Sequence, residues 1–323
     1  MRLCAVLAPV LATVVLCAQD GTIHLNVPLV VLQTGVTDRS GHAVAGLAAE
    51  DFIVLDNGRP RAVHLDTSDE GLAPVSLVIA IQSSDISAPV LAKIRKVGAT
   101  ISESVVGANA EAAVMTFDSD VKLVQDFTRD REAISTAFET FQPGNGGSRM
   151  IDAVAESLRL LQTRPSGRRS NILVISESRD RGSKTKLRNL SMQLQHSSTT
   201  IYSLTYSAYL TPFTAKQDEL QPGDFNPLLF ITEPARLTRP NTVRALTEAT
   251  GGRILGFQTL SRLEDDLISV GSEIHNRYVL SFSPLESEAG PTFHRLSVSV
   301  KGRPDLYVRA RPGYWNGQGD SKP

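Results

Sequence analysis

Pro74-Val75-Ser76-Leu77-Val78-Ile79-Ala80-Ile81-Gln82-Ser83-Ser84-Asp85-Ile86-Ser87 is the stretch on which the reading of this chain turns. Leu77 to Ile81 is an unbroken apolar run, closed by Pro74 on one side and by the polar Gln82-Ser83-Ser84-Asp85 on the other. A run that short predicts a strand covered on both faces. A helix is expected next, from Pro89 to Val105. Strand, hydroxyl-rich turn and helix make the first unit of an open α/β sheet. Ligands of such sheets gather at the carboxyl ends of the strands, so the turn from Gln82 to Asp85 is the first place to look for chemistry.

Working outward, strands and helices alternate from Val75 to Asn276. Strands are expected over Glu111–Phe117, Val121–Asp126, Asn171–Ser176, Thr200–Tyr206 and Arg253–Phe257. Helices are expected over Arg131–Phe141, Ile151–Leu161, Leu187–His196, Thr242–Ala249 and Leu260–His275. In the second of these Ile151, Val154, Ala155, Leu158 and Leu161 share one face, as the helical period requires. Gly144-Asn145-Gly146-Gly147-Ser148 reads as a flexible loop. The alternation predicts a mainly parallel, Rossmann-like sheet with helices on both faces.

Both ends of the chain read as β structure. Ile23–Val27 and Leu29–Leu32 alternate, and Phe52–Leu55 and Arg61–Leu65 flank Asn57-Gly58, which supplies the positive φ angles of a tight hairpin. Tyr278–Ser283, His294–Val300 and Leu306–Arg311 are the strands at the other end. Neither set is large enough to cover its own apolar face. The expected solution is one immunoglobulin-like β-sandwich built from residues 19–73 and 277–315, with an α/β domain over 74–276 inserted between them. The polar stretch 316–323 reads as a disordered tail.

The formal net charge is −1 over 323 residues, which gives no footprint for nucleic acid. Residues 1–18 pair Arg2 with an apolar run from Leu3 to Leu16 and end in Leu16-Cys17-Ala18. That pattern reads as a secretory signal peptide, too short for a good membrane span, and implies a secreted or periplasmic protein. Leu16 argues against a lipid anchor at Cys17, since a small residue is preferred before a lipidated cysteine. Cys4 and Cys17 are the only cysteines, so the mature chain would hold no disulfide and no cysteine metal site.

The stretch from Val75 to Ser87 resembles the first strand of von Willebrand factor type A (VWA) domains. The layout includes Gly46-Leu47 leading to Asp51-Phe52, Thr250-Gly251-Gly252 and Arg311-Pro312-Gly313-Tyr314. It is similar to that of the VWFA-related proteins widespread in Acidobacteria. The resemblance implies a metal-ion-dependent adhesion site made by three loops. The family's first loop is Asp-x-Ser-x-Ser, against which Gln82 takes the Asp position, Ser84 the first Ser and Ile86 the second. The family's second loop supplies a Thr, matched by Ser148 after Gly146-Gly147. Its third supplies an Asp, matched by Glu177 at the end of Val174-Ile175-Ser176. The site is thus degenerate: a carboxylate is lost at Gln82 and a hydroxyl at Ile86, while Asp85 adds a carboxylate at a position that is usually Gly. Mg²⁺ wants near-octahedral oxygen ligands at about 2.0–2.1 Å. Losing two contacts of about 1.5–3 kcal/mol each removes roughly ten- to a thousandfold or more in affinity.

No enzyme signature stands out. Gly144–Arg149 lacks the third Gly of a dinucleotide loop and the Lys of a P-loop, and no Gly-x-Ser-x-Gly elbow occurs. The six histidines are scattered, and Ser183-Lys184-Thr185-Lys186 reads as a solvated loop despite its Ser-x-x-Lys spacing. Two functions stand. One is a non-catalytic module that binds a protein partner without metal. The other is a Mg²⁺- or Mn²⁺-dependent adhesion domain with a rebuilt site. The expected partner surface is the long insertion from Ala208 to Pro240, through Phe213, Phe225, Leu228, Leu229 and Phe230.

Overall fold

The computed structural model describes residues 29–66, 73–84, 87–206, 241–284 and 292–316. The signal-peptide reading of 1–18, the strand expected over Ile23–Val27 and the tail from 317 lie outside them.

The centre is a six-stranded sheet in the order β10-β9-β8-β5-β6-β7. Its strands are β5 (Val75–Gln82), β6 (Ala110–Phe117), β7 (Val121–Thr128), β8 (Arg169–Ser176), β9 (Thr200–Thr205) and β10 (Ile254–Gly256). All pair in parallel except β7, which turns back antiparallel on β6 at one edge. Every residue of β5 is buried. Leu77, Ile79 and Ile81 face one apolar layer, closed by Leu91, Ile101, Phe138 and Leu267. Val78 and Ala80 face the other, closed by Val154, Leu158, Leu190 and Leu246. Two helical layers therefore consume both faces of the strand, which is why its sequence shows no polar alternation.

The segment expected as a single helix from Pro89 to Val105 is irregular. It begins as the α-helix Ala88–Ile94, tightens over Arg95–Val97 and ends in a wide π-type turn over Ile101–Val106. Close packing accounts for the distortion. A Cβ at Gly98 would come within 3.0 Å of the Ser135 carbonyl, and one at Gly271 within 2.1 Å of the Ser104 carbonyl. Both neighbouring helices, Arg131–Thr140 and Leu260–His275, press on this segment at glycines.

Two four-stranded antiparallel sheets take strands from both ends of the chain, in the orders β13-β1-β11-β4 and β14-β12-β2-β3. The strands are β1 (Val30–Thr37), β2 (Phe52–Asp56), β3 (Arg59–Arg61), β4 (His64–Leu65), β11 (Tyr278–Phe282), β12 (Thr292–Val300), β13 (Tyr307–Arg309) and β14 (Gly313–Asn316). One apolar cluster joins them, with Leu32, Val36 and Val54 from the N-terminal side packed among Tyr278, Leu280, Phe282 and Tyr314. Asn57 and Gly58 carry the positive φ angles of the β2–β3 turn, 50° and 79°. The arm expected as one strand from Arg61 to Leu65 is split. Arg59–Arg61 pairs with β2 and His64–Leu65 with β11, so the chain changes sheets between them. The last strand runs to Asn316, one residue beyond the expected boundary, and pairs with β12 after Pro312.

A buried guanidinium ties the antiparallel sheets to the α/β unit. Arg277 donates to the carbonyls of Gln33 (2.8 Å), Gly251 (2.7 Å) and Arg309 (3.1 Å), to the Tyr202 hydroxyl (2.8 Å) and to Glu273 Oε1 (3.3 Å). Burial raises the Tyr202 phenol well above its ordinary range, so its oxygen accepts from Arg277 as a neutral hydroxyl.

Candidate functional site

The strand order places β5 between β8, reached late in the chain, and β6, reached next. This is the point where the connection direction reverses, and the carboxyl ends of β5 and β8 open there. Gln82 closes β5, Glu177 follows β8, and Ser148 arrives on the loop that enters the Met150–Gln162 helix. The three loops named from sequence do converge. Asp85 and Ile86 lie outside the described residues.

The contacts within this cluster run between protein groups. The Gln82 side chain donates through Nε2 to Ser84 Oγ at 2.8 Å, and its Oε1 accepts the Glu177 N–H at 3.0 Å. Gln82 therefore ties the first loop to the third. Ser84 Oγ lies 3.0 Å from Ser87 Oγ, which accepts from the Tyr206 hydroxyl at 2.8 Å. Burial raises the Tyr206 phenol, so it stays protonated as the donor at the end of this chain. Arg181 donates to Glu177 Oε2 at 2.7 Å. The Ser148 and Arg181 backbones exchange two hydrogen bonds, at 2.9 and 2.7 Å, which ties the third loop to the second. Ser148 Oγ is buried and, among the described residues, has no hydrogen-bond partner.

The glycine loop, expected to be flexible, is fastened instead. Buried Asp118 accepts the Asn145 N–H at 2.9 Å and the Asp120 N–H at 2.7 Å, and Gly144 N–H donates to the Ser83 carbonyl at 2.6 Å. A Cβ on Gly144 would overlap Asp118 Oδ2 at 1.6 Å, so the first glycine of the loop is needed for space. The loop after β8 is held in the same way. Asp180 Oδ1 accepts the Ile151 N–H at 2.9 Å and the Ser183 hydroxyl at 2.6 Å. That contact uses the serine of the Ser-x-x-Lys pattern. Asp152 accepts the N–H groups of Lys184 (2.9 Å) and Thr185 (2.8 Å) and pairs with Arg149 at 2.6 Å. Burial alone would raise the Asp152 carboxyl. Thr185, Lys184 and Arg149 outweigh it and bring the group down to about 2.

Could this set hold Mg²⁺ or Mn²⁺? Gln82 brings no charge and spends both ends of its amide, Ser84 already accepts, and Glu177 is paired with a guanidinium. As arranged, these donors do not fit a hard divalent cation, which needs several free anionic or neutral oxygens and room for its waters. Among the described residues no cluster of three or more His, Cys, Asp or Glu side chains is placed to hold a metal ion.

Sequence reasoning missed Arg181, Ser87, Tyr206 and Asp118 as parts of this cluster. Arg181 could have been found, because a cation four residues after Glu177 is a visible charge pair. Ser87, three residues after Ser84 in the same turn, could also have been found. Tyr206 and Asp118 could not, since strand order alone brings them there. Phe213, Phe225, Leu228, Leu229 and Phe230 lie outside the described residues.

Residues 77–179 match the von Willebrand factor type A domain family. The matched region begins in β5 and ends just past Glu177, so it contains all three loops. No curated protein matches the chain. Among solved structures it is similar to the conserved hypothetical protein BatB from Bacteroides thetaiotaomicron, at 12% identity and a TM-score of 0.45, covering 62% of this chain and 98% of that one. It is also similar to a von Willebrand factor type A protein from Catenulispora acidiphila, at 12% identity and a TM-score of 0.45, covering 88% of this chain and 72% of that one. A third is proximal thread matrix protein 1 from the mussel byssus, solved with a zinc-occupied MIDAS motif, at 10% identity and a TM-score of 0.45, covering 70% and 51%. No helix among the described residues is long and apolar enough to cross a membrane.

Proposed function

We propose that this chain is a non-catalytic, secreted or periplasmic VWA-type module that binds a protein partner at the carboxyl end of its central sheet without a metal ion. The observation that carries the reading is the Gln82 amide, which bridges Ser84 and the Glu177 N–H where the family pattern has a carboxylate. Arg181 supports it by supplying the positive charge beside Glu177. The three loops then need no ion to close on one another. The reading includes the signal peptide over 1–18, an immunoglobulin-like sandwich from 19–73 and 277–315 around a domain over 74–276, and a place among the VWFA-related Acidobacterial proteins. It also assigns apolar partner contacts to Phe213, Phe225, Leu228, Leu229 and Phe230, so deleting 212–236 should abolish partner capture while the fold persists.

The test is partner retention in EDTA. A pull-down from the producing cell with the full chain should recover the same partner with and without chelator. A second reading, the Mg²⁺- or Mn²⁺-dependent adhesion domain, is favoured by one observation: Ser148 keeps a buried hydroxyl without a partner among the described residues. Calorimetric titration separates the two. Mg²⁺ binding below about millimolar, with loss of the partner in EDTA, would establish the second and sink the first.

A further inference from the structure

The formal charge of the chain is −1, yet residues 179–188, Arg-Asp-Arg-Gly-Ser-Lys-Thr-Lys-Leu-Arg, carry five cations and a single carboxylate. All five, Arg179, Arg181, Lys184, Lys186 and Arg188, are exposed. The loop begins directly after Glu177 and rims the site described above. Its one carboxylate faces inward: Asp180 is spent on the Ile151 N–H and on Ser183. Two carboxylates from packed elements are also occupied, Glu177 by Arg181 and Asp152 by two N–H groups and Arg149. The backbone is fastened at three points, through Arg181, Asp180 and Asp152, so the cations are presented without a large ordering cost on binding.

We infer that this loop is a preorganised cationic rim that binds an acidic peptide segment of the partner. The inference rests on the metal-free, protein-binding reading above and names the chemistry of that partner. A polynucleotide is disfavoured because residues 177–188 contain no aromatic side chain on which a base could stack. A membrane surface is disfavoured because Leu187 is the only large apolar residue in the loop and is half-buried. Rim cations of this kind steer encounter and select charge more than they add raw affinity. They also give binding that weakens as salt screens them.

The experiment uses the full chain and a short fluorescein-labelled poly-L-glutamate, followed by anisotropy. Binding is expected at low salt and should weaken about tenfold or more between roughly 0.05 and 0.3 M salt. The R179E/K184E/K186E/R188E chain, with its thermal melt confirming the fold, should bind about tenfold or more weakly. K301E, an exposed reversal on the turn after β12, should bind as the parent does. Unchanged binding by the quadruple variant overturns the assignment of the loop. Tighter binding of a single-stranded oligodeoxynucleotide, or of phosphatidylglycerol vesicles, than of poly-glutamate overturns the peptide class. An EDTA arm is read separately: loss of poly-glutamate binding there sinks the metal-free reading itself.

Discussion

Replacing Arg277 by Met is the most informative single change to the architecture. The guanidinium is almost wholly buried and donates to three backbone carbonyls, one phenol and one carboxylate. Met keeps much of the bulk and all of the apolar stem, so cavity formation is a small part of the change. The main effect is that Glu273, itself buried, loses its close partner and keeps Arg253 at 3.7 Å and a longer-range attraction to Arg309. Breaking a buried ion pair from one side costs about 3–5 kcal/mol. The orphaned carbonyls belong in the same range, at about 1–3 kcal/mol for each that finds no water. Urea unfolding followed by far-UV and near-UV circular dichroism should therefore show a loss of at least about 3 kcal/mol. Adding Glu273→Gln should restore about 1–3 kcal/mol of it, because the second change removes the stranded charge. A loss under about 1 kcal/mol for Arg277→Met, or strict additivity in the double variant, would refute the view that this side chain fastens the two units.

Other predictions concern the site and its supports. Asp152 has a folded-state pKa of about 2, below the ordinary 3.8, so its contribution is complete above about pH 4 and is lost as pH falls through about 2. Allowing for solvent screening, that amounts to roughly 1–2 kcal/mol, and Asp152→Asn should flatten this acid limb in a pH series of urea melts. Gly144→Ala should cost about 1–3 kcal/mol, since the new methyl has to displace Asp118 from the loop it holds; a neutral thermal melt would show that the loop gives way freely. Gln82→Asp with Ile86→Ser should lower the stability of the metal-free protein by about 1–3 kcal/mol and create Mg²⁺ affinity measurable by calorimetry. If the double variant still ignores Mg²⁺, then Arg181 continues to hold Glu177 and the repair has to include it. Residues 19–73 expressed alone should show no cooperative unfolding, because β1 pairs with β11 and β13 and makes no pairing with β2.

The elements of the central sheet were legible from the chain because the signals are local. An apolar run such as Leu77–Ile81 has no way to be satisfied except between two covering layers, and Asn57-Gly58 states its turn through φ angles alone. The loops of the candidate site were legible for the same reason, through hydroxyls and a carboxylate next to strand ends. What the chain alone left open was every choice that depends on which distant groups meet. Arg61–Leu65 reads as one strand, yet its halves join different sheets, because the competing partners β2 and β11 are separated by more than two hundred residues of sequence. Arg277 reads as one more helix-end cation until β1, β9 and β13 close around it. The electrostatics of the site were decided in the same way. Gln82 shows in the sequence that a charge is missing. That its amide takes up the Glu177 N–H, and that Arg181 turns back onto the Glu177 carboxylate, follows only once β5 and β8 lie side by side. Local propensity acts over a few residues, whereas a buried polar group must find its partner wherever the fold delivers one.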